Sequence, residues 1–472
     1  MDHPHPTGER IEQFSVGFHG DLIRPDEATY DDARAVWNGM IDKRPALIAQ
    51  CRGVADVVTA VDFVRENDLD VSIRGGGHNV AGGAVCDDGV VIDLSAMRGV
   101  WVDPDDQTAR VQPGATWADL DRETQVFGLA TPGGAISKTG VAGLTLGGGL
   151  GHLRGAYGLT CDNLRSVTLV RPDGDTITAS RDENEELFWG LRGGGCTFGV
   201  VTGFEFDLHE VGPDVAVCLV FYSADRFAEH LRAYREYVDA SPDEVSTIVV
   251  NGVMPDDELF PAEAVDEPKV GVLGVYAGSP ERGEHVMAPL RDLAEPVVDL
   301  SGTMPYVELQ QLFDADYPDG MRYYWKSLFL DSLSDAAIDR IGDWVETAPS
   351  SLSTVDLWEL GGEIARRDID DGAFVGRHAP FLLAVEANWV EPEGDEANVE
   401  WVRDCLTDMR QFSDGSVYLN YPGFFEESDD AVQTTYGAAY ERLAALKAEF
   451  DPTNLFSINQ TVELPNHVEA DE

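Results

Sequence analysis

Two α+β domains are what this 472-residue sequence predicts, on three observations. The chain is longer than one ordinary core serves, so it is expected to divide. Its first half carries a β-α-β pattern followed by hairpins, and its second half alternates helical with strand-like segments. With 43% apolar residues the chain can bury well-packed cores.

The elements follow in order. Ala46 to Ala49 reads as a strand, and Val54, Val57, Val58 and Val61 recur at helical spacing on a helix ending near Asn67. Val71 to Ile73 is the next strand. It delivers a glycine-rich loop at its carboxyl end, where ligands of α/β sheets sit. Val90 to Leu94 is another strand. Asp103-Pro104-Asp105-Asp106 turns between Val100-Trp101-Val102 and Ala109-Arg110-Val111, and a second hairpin spans Ser166 to Ala179 around Pro172-Asp173-Gly174. From about Pro213 to Gly423 the expected helices are Arg226 to Val238, Ala336 to Glu346 and Asn398 to Gln411. The expected strands there are Val270 to Val275, Thr354 to Leu360 and Phe381 to Val385. Their alternation favours an antiparallel sheet covered by helices on one face. The helix Ala431 to Phe450 ends at Asp451-Pro452, and the last segment is expected to return to the first domain.

Charge and cysteine usage exclude several classes. Lys and Arg total 33 against 86 Asp and Glu, for a net charge of −53. A polyanion such as nucleic acid is repelled, and no basic stripe is present to release counterions. The acidic pairs Asp31-Asp32, Asp105-Asp106, Asp370-Asp371 and Asp429-Asp430 sit among turn residues and read as solvated surface. Such a surface suits concentrated salt, and a high-salt cytoplasm is its expected origin. The six cysteines are scattered without paired short spacing, so buried thiols are expected rather than a zinc knuckle or disulfide framework. Histidines are dispersed without metal-ligand spacing, so no metal is expected. Met1 to Pro6 does not open a secretory signal and no stretch is long enough to span a bilayer. A cytoplasmic protein without a membrane or nucleic-acid partner is the expectation.

The chemistry concentrates in glycine-rich segments. In Val71-Ser72-Ile73-Arg74-Gly75-Gly76-Gly77-His78-Asn79 a nearly bare loop ends on an imidazole. Glycines let successive N–H groups approach a diphosphate, and His78 offers a nucleophile beside it; the bland alternative is a surface loop with an incidental histidine. A second series runs from Thr131-Pro132-Gly133-Gly134 through Gly140, Gly143, Gly147, Gly148, Gly149, Gly151, Gly155 and Gly158. Val141, Leu144, Leu146, Leu150 and Leu153 alternate through it, which fits a cofactor cradle better than a linker. It is neither a dinucleotide fingerprint, since Arg154 replaces the third glycine, nor a phosphate loop, since Gly-Lys-Ser/Thr is absent. That absence also argues against a kinase or ATPase.

These segments, with Tyr157 to Leu164, Leu191-Arg192-Gly193-Gly194-Gly195, Tyr323 to Ser327, Tyr418-Leu419-Asn420-Tyr421 and Asp451 to Gln460, resemble the FAD-linked oxidases of the vanillyl-alcohol oxidase (PCMH-type FAD domain) superfamily, berberine bridge enzyme-like branch. The resemblance covers nearly the whole chain. It implies an FAD-binding domain over 1–212 (core about 43–212), a substrate domain over 213–424 and a returning segment over 425–472.

The resemblance further implies covalent FAD attachment through His78, which retains the cofactor and raises its potential. Many relatives add a cysteine tether four residues before the position of Gly140. This chain has Ile136 there, so a second bond is not expected. Backbone amides of Gly75, Gly76, Gly77, Gly133 and Gly134 are candidates for the diphosphate. The expected cofactor-contacting set also includes Arg74, Asn79, Ser137, Thr139, Gly140, Gly143, Leu144, Gly148, Gly151, Val201 and Asn459. For catalysis a proton must leave a substrate O–H or N–H as hydride leaves the adjacent carbon. Tyr421 is the expected base, but a phenol of pKa about 10 needs help near neutrality, for which Lys326 and Tyr418 are candidates. Glu359 is the alternative base. The expected reaction is oxidation of a small organic substrate at a CH–OH carbon, sugars or secondary-metabolite alcohols leading and CH–NH second. O2 is the preferred acceptor over another acceptor in a dehydrogenase. A non-catalytic small-molecule or carbohydrate-binding relative is the alternative from another class.

Overall fold

The computed structural model describes residues 6–195, 197–254, 260–262, 264–424, 433, 436–458, 462 and 464. The β-branched runs of the first half pair as their sequence order allows. Leu47–Gln50 and Val71–Arg74 both run parallel to Val90–Asp93, which lies between them, and Asp21–Ile23 adds an antiparallel edge. The crossover is the helix Val54–Asn67, whose Val57, Ala60, Val61 and Val64 are buried against these strands. A β-α-β crossover of this kind leaves the loop after Val71–Arg74 at the sheet's carboxyl end. Both expected hairpins are present, Val100–Asp103 with Thr108–Val111 and Leu164–Val170 with Thr176–Ser180. Val200–Asp207 joins them into one antiparallel sheet.

The second half is an antiparallel sheet whose central order is Asp214–Ser223, Pro268–Tyr276, Val245–Val253, Thr354–Glu359, Phe381–Trp389, Arg322–Leu330. The helices Phe227–Val238, Pro280–Arg291, Asp335–Glu346 and Asp395–Met409 cover one face through a shared apolar cluster. The other face is covered too, by the first half. This explains why three strands, Asp214–Ser223, Val245–Val253 and Arg322–Leu330, escape a period-two reading: they are buried along most of their length on both sides. Where polar residues do alternate, as at Asp356, Glu386 and Asn388, they point between the halves rather than into solvent.

The start of the expected helix Ala431 to Phe450 lies largely outside the described residues. Its described part is Tyr440–Phe450. There Lys447 Nζ donates to Thr197 O, Phe456 O and Asp451 Oδ2, and Phe456 enters the core of the parallel sheet, so this segment packs on the first half. No described helix is long and apolar enough to cross a membrane.

Candidate active site

A cavity of about 210 Å³ lies between the glycine loops and the second sheet. Gly75, Gly76, Gly77, His78, Gly140 and Gly143 form one wall, Trp325 and Trp358 another, and Tyr418 to Tyr421 a third. Two glycine contacts shape the first wall. A Cβ on Gly76 would sit 2.5 Å from Gly140 Cα, so the two loops touch backbone to backbone. At Gly143, on the helix Val141–Leu146, an added Cβ would meet no protein atom within 4 Å. Packing therefore does not require glycine there, and the open space belongs to whatever fills the cavity. Gly143→Ala is accordingly expected to keep or raise the stability of the flavin-free protein, by up to about 1 kcal/mol from helix propensity, while weakening flavin retention. Urea unfolding beside flavin titration checks both halves.

His78 is placed by a stack of rings. The left-handed turn at Gly77 (φ +70°) brings its imidazole onto Trp37, centroids 4.1 Å apart, and Trp37 lies in turn on Tyr323 at 3.7 Å. Trp37 also donates Nε1 to Tyr317 O and its backbone N–H to Gly77 O. His78 Nε2 is buried without a hydrogen-bond partner. Burial pushes this imidazole down to about 4, with Lys138 adding in the same direction, so the ring is neutral at pH 7. The ring lines the cavity, and a neutral imidazole is a competent nucleophile.

The opposite end is acidic. Tyr421 and Glu386 line the same inner chamber, and Glu386 accepts from Tyr317 Oη at 2.9 Å. Glu386 lies cross-strand from Trp325 and Thr354, and Asp356 pairs with Ala384, which makes the two acids diagonal neighbours. Burial first, then the facing carboxylate, holds Asp356 well above the usual carboxylate range, and burial raises Glu386. Burial and the Glu386 charge hold the Tyr421 hydroxyl well above an ordinary phenol.

The structure brings together only part of the expected residue set. Gly75, Gly76, Gly77, His78, Asn79, Gly134, Thr139, Gly140, Gly143, Leu144, Tyr418 and Tyr421 line the cavity. Asn79 Oδ1 accepts from the backbone of Ala81 and Gly83, shaping the loop. Tyr418 Oη accepts from Gly149 N, Leu150 N and Asn420 Nδ2, which fixes it as an anchor of the glycine loop; burial still pushes it up to about 12.

The other expected residues that are described do not line the cavity. Arg74 is turned away, donating to Asp93 Oδ2 at 2.6 Å and to Ala33 O. Ser137 is bound to Asp314 through both N and Oγ, tying the two halves. Gly133 and Gly151 are demanded by packing: a Cβ on Gly151 would meet Gly133 O, and one on Gly133 the Trp117 ring. At Gly148 it would strike Phe374. Val201 is buried in the core of the first half. Lys326 and Glu359 do not line the cavity, because strand alternation puts them on the opposite face from Trp325 and Trp358; Glu359 Oε1 instead caps the backbone N–H of Gly361. Asn459 and Gln460 lie outside the described residues.

Sequence reasoning missed Trp37, Tyr317, Trp325, Trp358, Asp356 and Glu386. The signal for Glu386 was available, a carboxylate set inside the apolar run Phe381-Leu382-Leu383-Ala384-Val385, where no solvated face exists. Among the described residues no cysteine lines the cavity, Ile136 standing where a tether would come, and no group of three metal-ligating side chains occurs.

These residues fit FAD on structural grounds: a glycine floor with space at Gly143, an orphaned neutral imidazole at His78 and an aromatic roof. Comparison with known proteins agrees. Residues 45–180 match the FAD binding domain family model and residues 417–463 the berberine and berberine-like model. An FAD-linked oxidoreductase of Dictyostelium discoideum is 32% identical over 457 residues, 96% of each chain. The crystal structure of 6-hydroxy-D-nicotine oxidase from Arthrobacter nicotinovorans superposes with a TM-score of 0.84 at 30% identity, covering 95% of this chain and 99% of that one. A glucooligosaccharide oxidase from Acremonium strictum, described with a 6-S-cysteinyl, 8α-N1-histidyl FAD, shares the fold at a TM-score of 0.84 and 22% identity, covering 97% and 99%.

Proposed function

This chain belongs to the berberine bridge enzyme-like family of FAD-linked oxidoreductases, and from that premise we propose that it oxidises a small organic substrate at a CH–OH or CH–NH carbon and passes the electrons to O2. The observation that carries this reading is that Tyr421 stands in the cavity wall with Glu386 beside it in the adjoining chamber. When bound, FAD supplies the hydride acceptor, held along Gly75 to Gly77, Gly140 and Gly143 and joined through His78. Tyr421 receives the proton of the substrate O–H or N–H while its own proton moves to Glu386. A neutral phenol then suffices, and no cation is needed to form a phenolate. Trp325 and Trp358 confine the substrate and exclude water.

The orphaned His78 nitrogen supports a covalent link. The oxidases among the relatives support O2 as acceptor. The division into an FAD domain over 1–212, a substrate domain over 213–424 and a returning segment is part of the same reading, and the net charge of −53 supports a role in a high-salt cytoplasm. Admitting air to protein reduced with dithionite tests the acceptor. Rapid return of colour with peroxide formation is expected, and slow return assigns the electrons to another acceptor.

A further inference from the structure

Aromatic rings in contact run from the cavity wall to a surface segment. Trp37, behind His78, meets Trp325 at 5.0 Å between ring centroids, and Trp325 meets Tyr317 at 5.2 Å, both edge to face. These are contact separations for aromatic pairs, so no gap interrupts the series. Trp325 is itself part of the cavity wall. Tyr317 is half-buried, and its neighbours Asp316, Pro318 and Asp319 are exposed. The hydride reaction proposed above needs no such series.

Hydrogen bonding sets one member apart. Trp37 Nε1 donates to Tyr317 O at 3.1 Å, Trp325 Nε1 to Asn388 Oδ1 at 2.7 Å, and Tyr323 Oη to Pro318 O at 2.5 Å. An amide oxygen is too weak a base to remove any of these protons. Of the four groups only Tyr317 Oη donates to a carboxylate, that of Glu386, at 2.9 Å. Burial raises Glu386, so its carboxylate holds a proton more firmly than an ordinary glutamate does. The series also tolerates a positive charge. Trp37 stacks on the face of Tyr323, which attracts a cation. Trp325 lies cross-strand from Glu386, and no lysine, arginine or histidine lines the inner chamber among the described residues.

We propose that Trp37, Trp325 and Tyr317 form a one-electron relay that reduces the light-excited flavin when no substrate is present, with Tyr317 as the terminal donor. An indole of the Trp37–Trp325 pair gives one electron to the excited flavin and becomes a radical cation. It cannot shed its N–H proton to an amide oxygen, so it recovers an electron from the next ring. Tyr317 supplies the last electron as its phenolic O–H bond breaks and the proton passes to Glu386. The result is a neutral tyrosyl radical, a protonated Glu386 and a flavin one electron richer. Light is the only input. Return of the electron requires return of the proton, which prolongs the radical. The proposal rests on flavin binding and involves no oxidisable substrate.

The test illuminates the substrate-free holoenzyme with blue light under argon, freezes it at once and records electron paramagnetic resonance. The wild type is expected to show a tyrosyl radical, identified by the narrowing of its lines when ring-deuterated tyrosine is incorporated. Tyr317→Phe is expected to lose that signal, with unchanged flavin content verifying that it folds. If it does not fold, Glu386→Gln keeps the phenol, removes its proton acceptor and is expected to lose the radical as well. A wild type without a light-induced tyrosyl radical, or an undiminished signal in folded Tyr317→Phe or Glu386→Gln, overturns the proposal. Failure of the oxidoreductase reading is distinguishable. A light-induced radical in protein whose flavin no substrate bleaches removes only that reading, whereas bleaching by a substrate without the radical removes only this proposal.

Discussion

Tyr421→Phe is expected to lower kcat/KM for flavin reduction by about 10²–10⁴, the usual contribution of a positioned general base, with flavin content unchanged. The ring remains to fill the wall between the two chambers, so the packing of Tyr421 against Trp325 and Tyr418 is kept. Only the hydroxyl that relays the proton to Glu386 is lost. The pH dependence follows from the same pair. Glu386 must be ionised to accept the proton, and burial raises its pKa above the ordinary glutamate value of about 4.3. The rate of flavin reduction should therefore climb as pH rises past the usual carboxylate range and level off once Glu386 has ionised. Glu386→Gln should be slow across the range and lack that limb. Stopped-flow reduction under argon at several pH values reads both effects, and a Tyr421→Phe enzyme of wild-type rate would remove the relay.

His78→Ala is expected to abolish acid-stable colour completely. The variant should still bind FAD, because Gly75, Gly76, Gly140 and Gly143 keep their places in the cavity wall, but acid precipitation should leave the pellet white. Attachment also depends on the orientation of the imidazole, which Trp37 sets by stacking on one side and resting on Tyr323 on the other. Trp37→Ala should consequently show an intermediate result, with slow or partial attachment in protein that still binds FAD. Comparing colour in pellet and supernatant for the three proteins separates binding from bonding. A coloured His78→Ala pellet would place the link elsewhere.

Local patterns made the first half legible. Val54, Val57, Val58 and Val61 marked the crossover helix, and the turn residues at 103–106 and 172–174 marked both hairpins. The antiparallel sheet of the second half was anticipated, but Arg322–Leu330 and Val245–Val253 were not, since a strand buried on both faces loses its alternation. Motif order singled out His78, the loop glycines and Tyr421. Lys326 and Glu359, also singled out, occupy the strands of Trp325 and Trp358 but do not line the cavity. The acids that line the inner chamber, Asp356 and Glu386, come from different strands brought side by side only by the sheet register. Trp37 lies 41 residues before His78 in the sequence (78 − 37) and reaches it through tertiary packing alone.

The measurement that tests the central claim most directly is the visible spectrum of the purified protein under argon, as isolated or after incubation with FAD, before and after a panel of small amines and alcohols. The account predicts flavin bands that bleach with a substrate and that return in air. A protein that stays colourless after incubation with FAD, or holds flavin that no member of the panel bleaches, would contradict it.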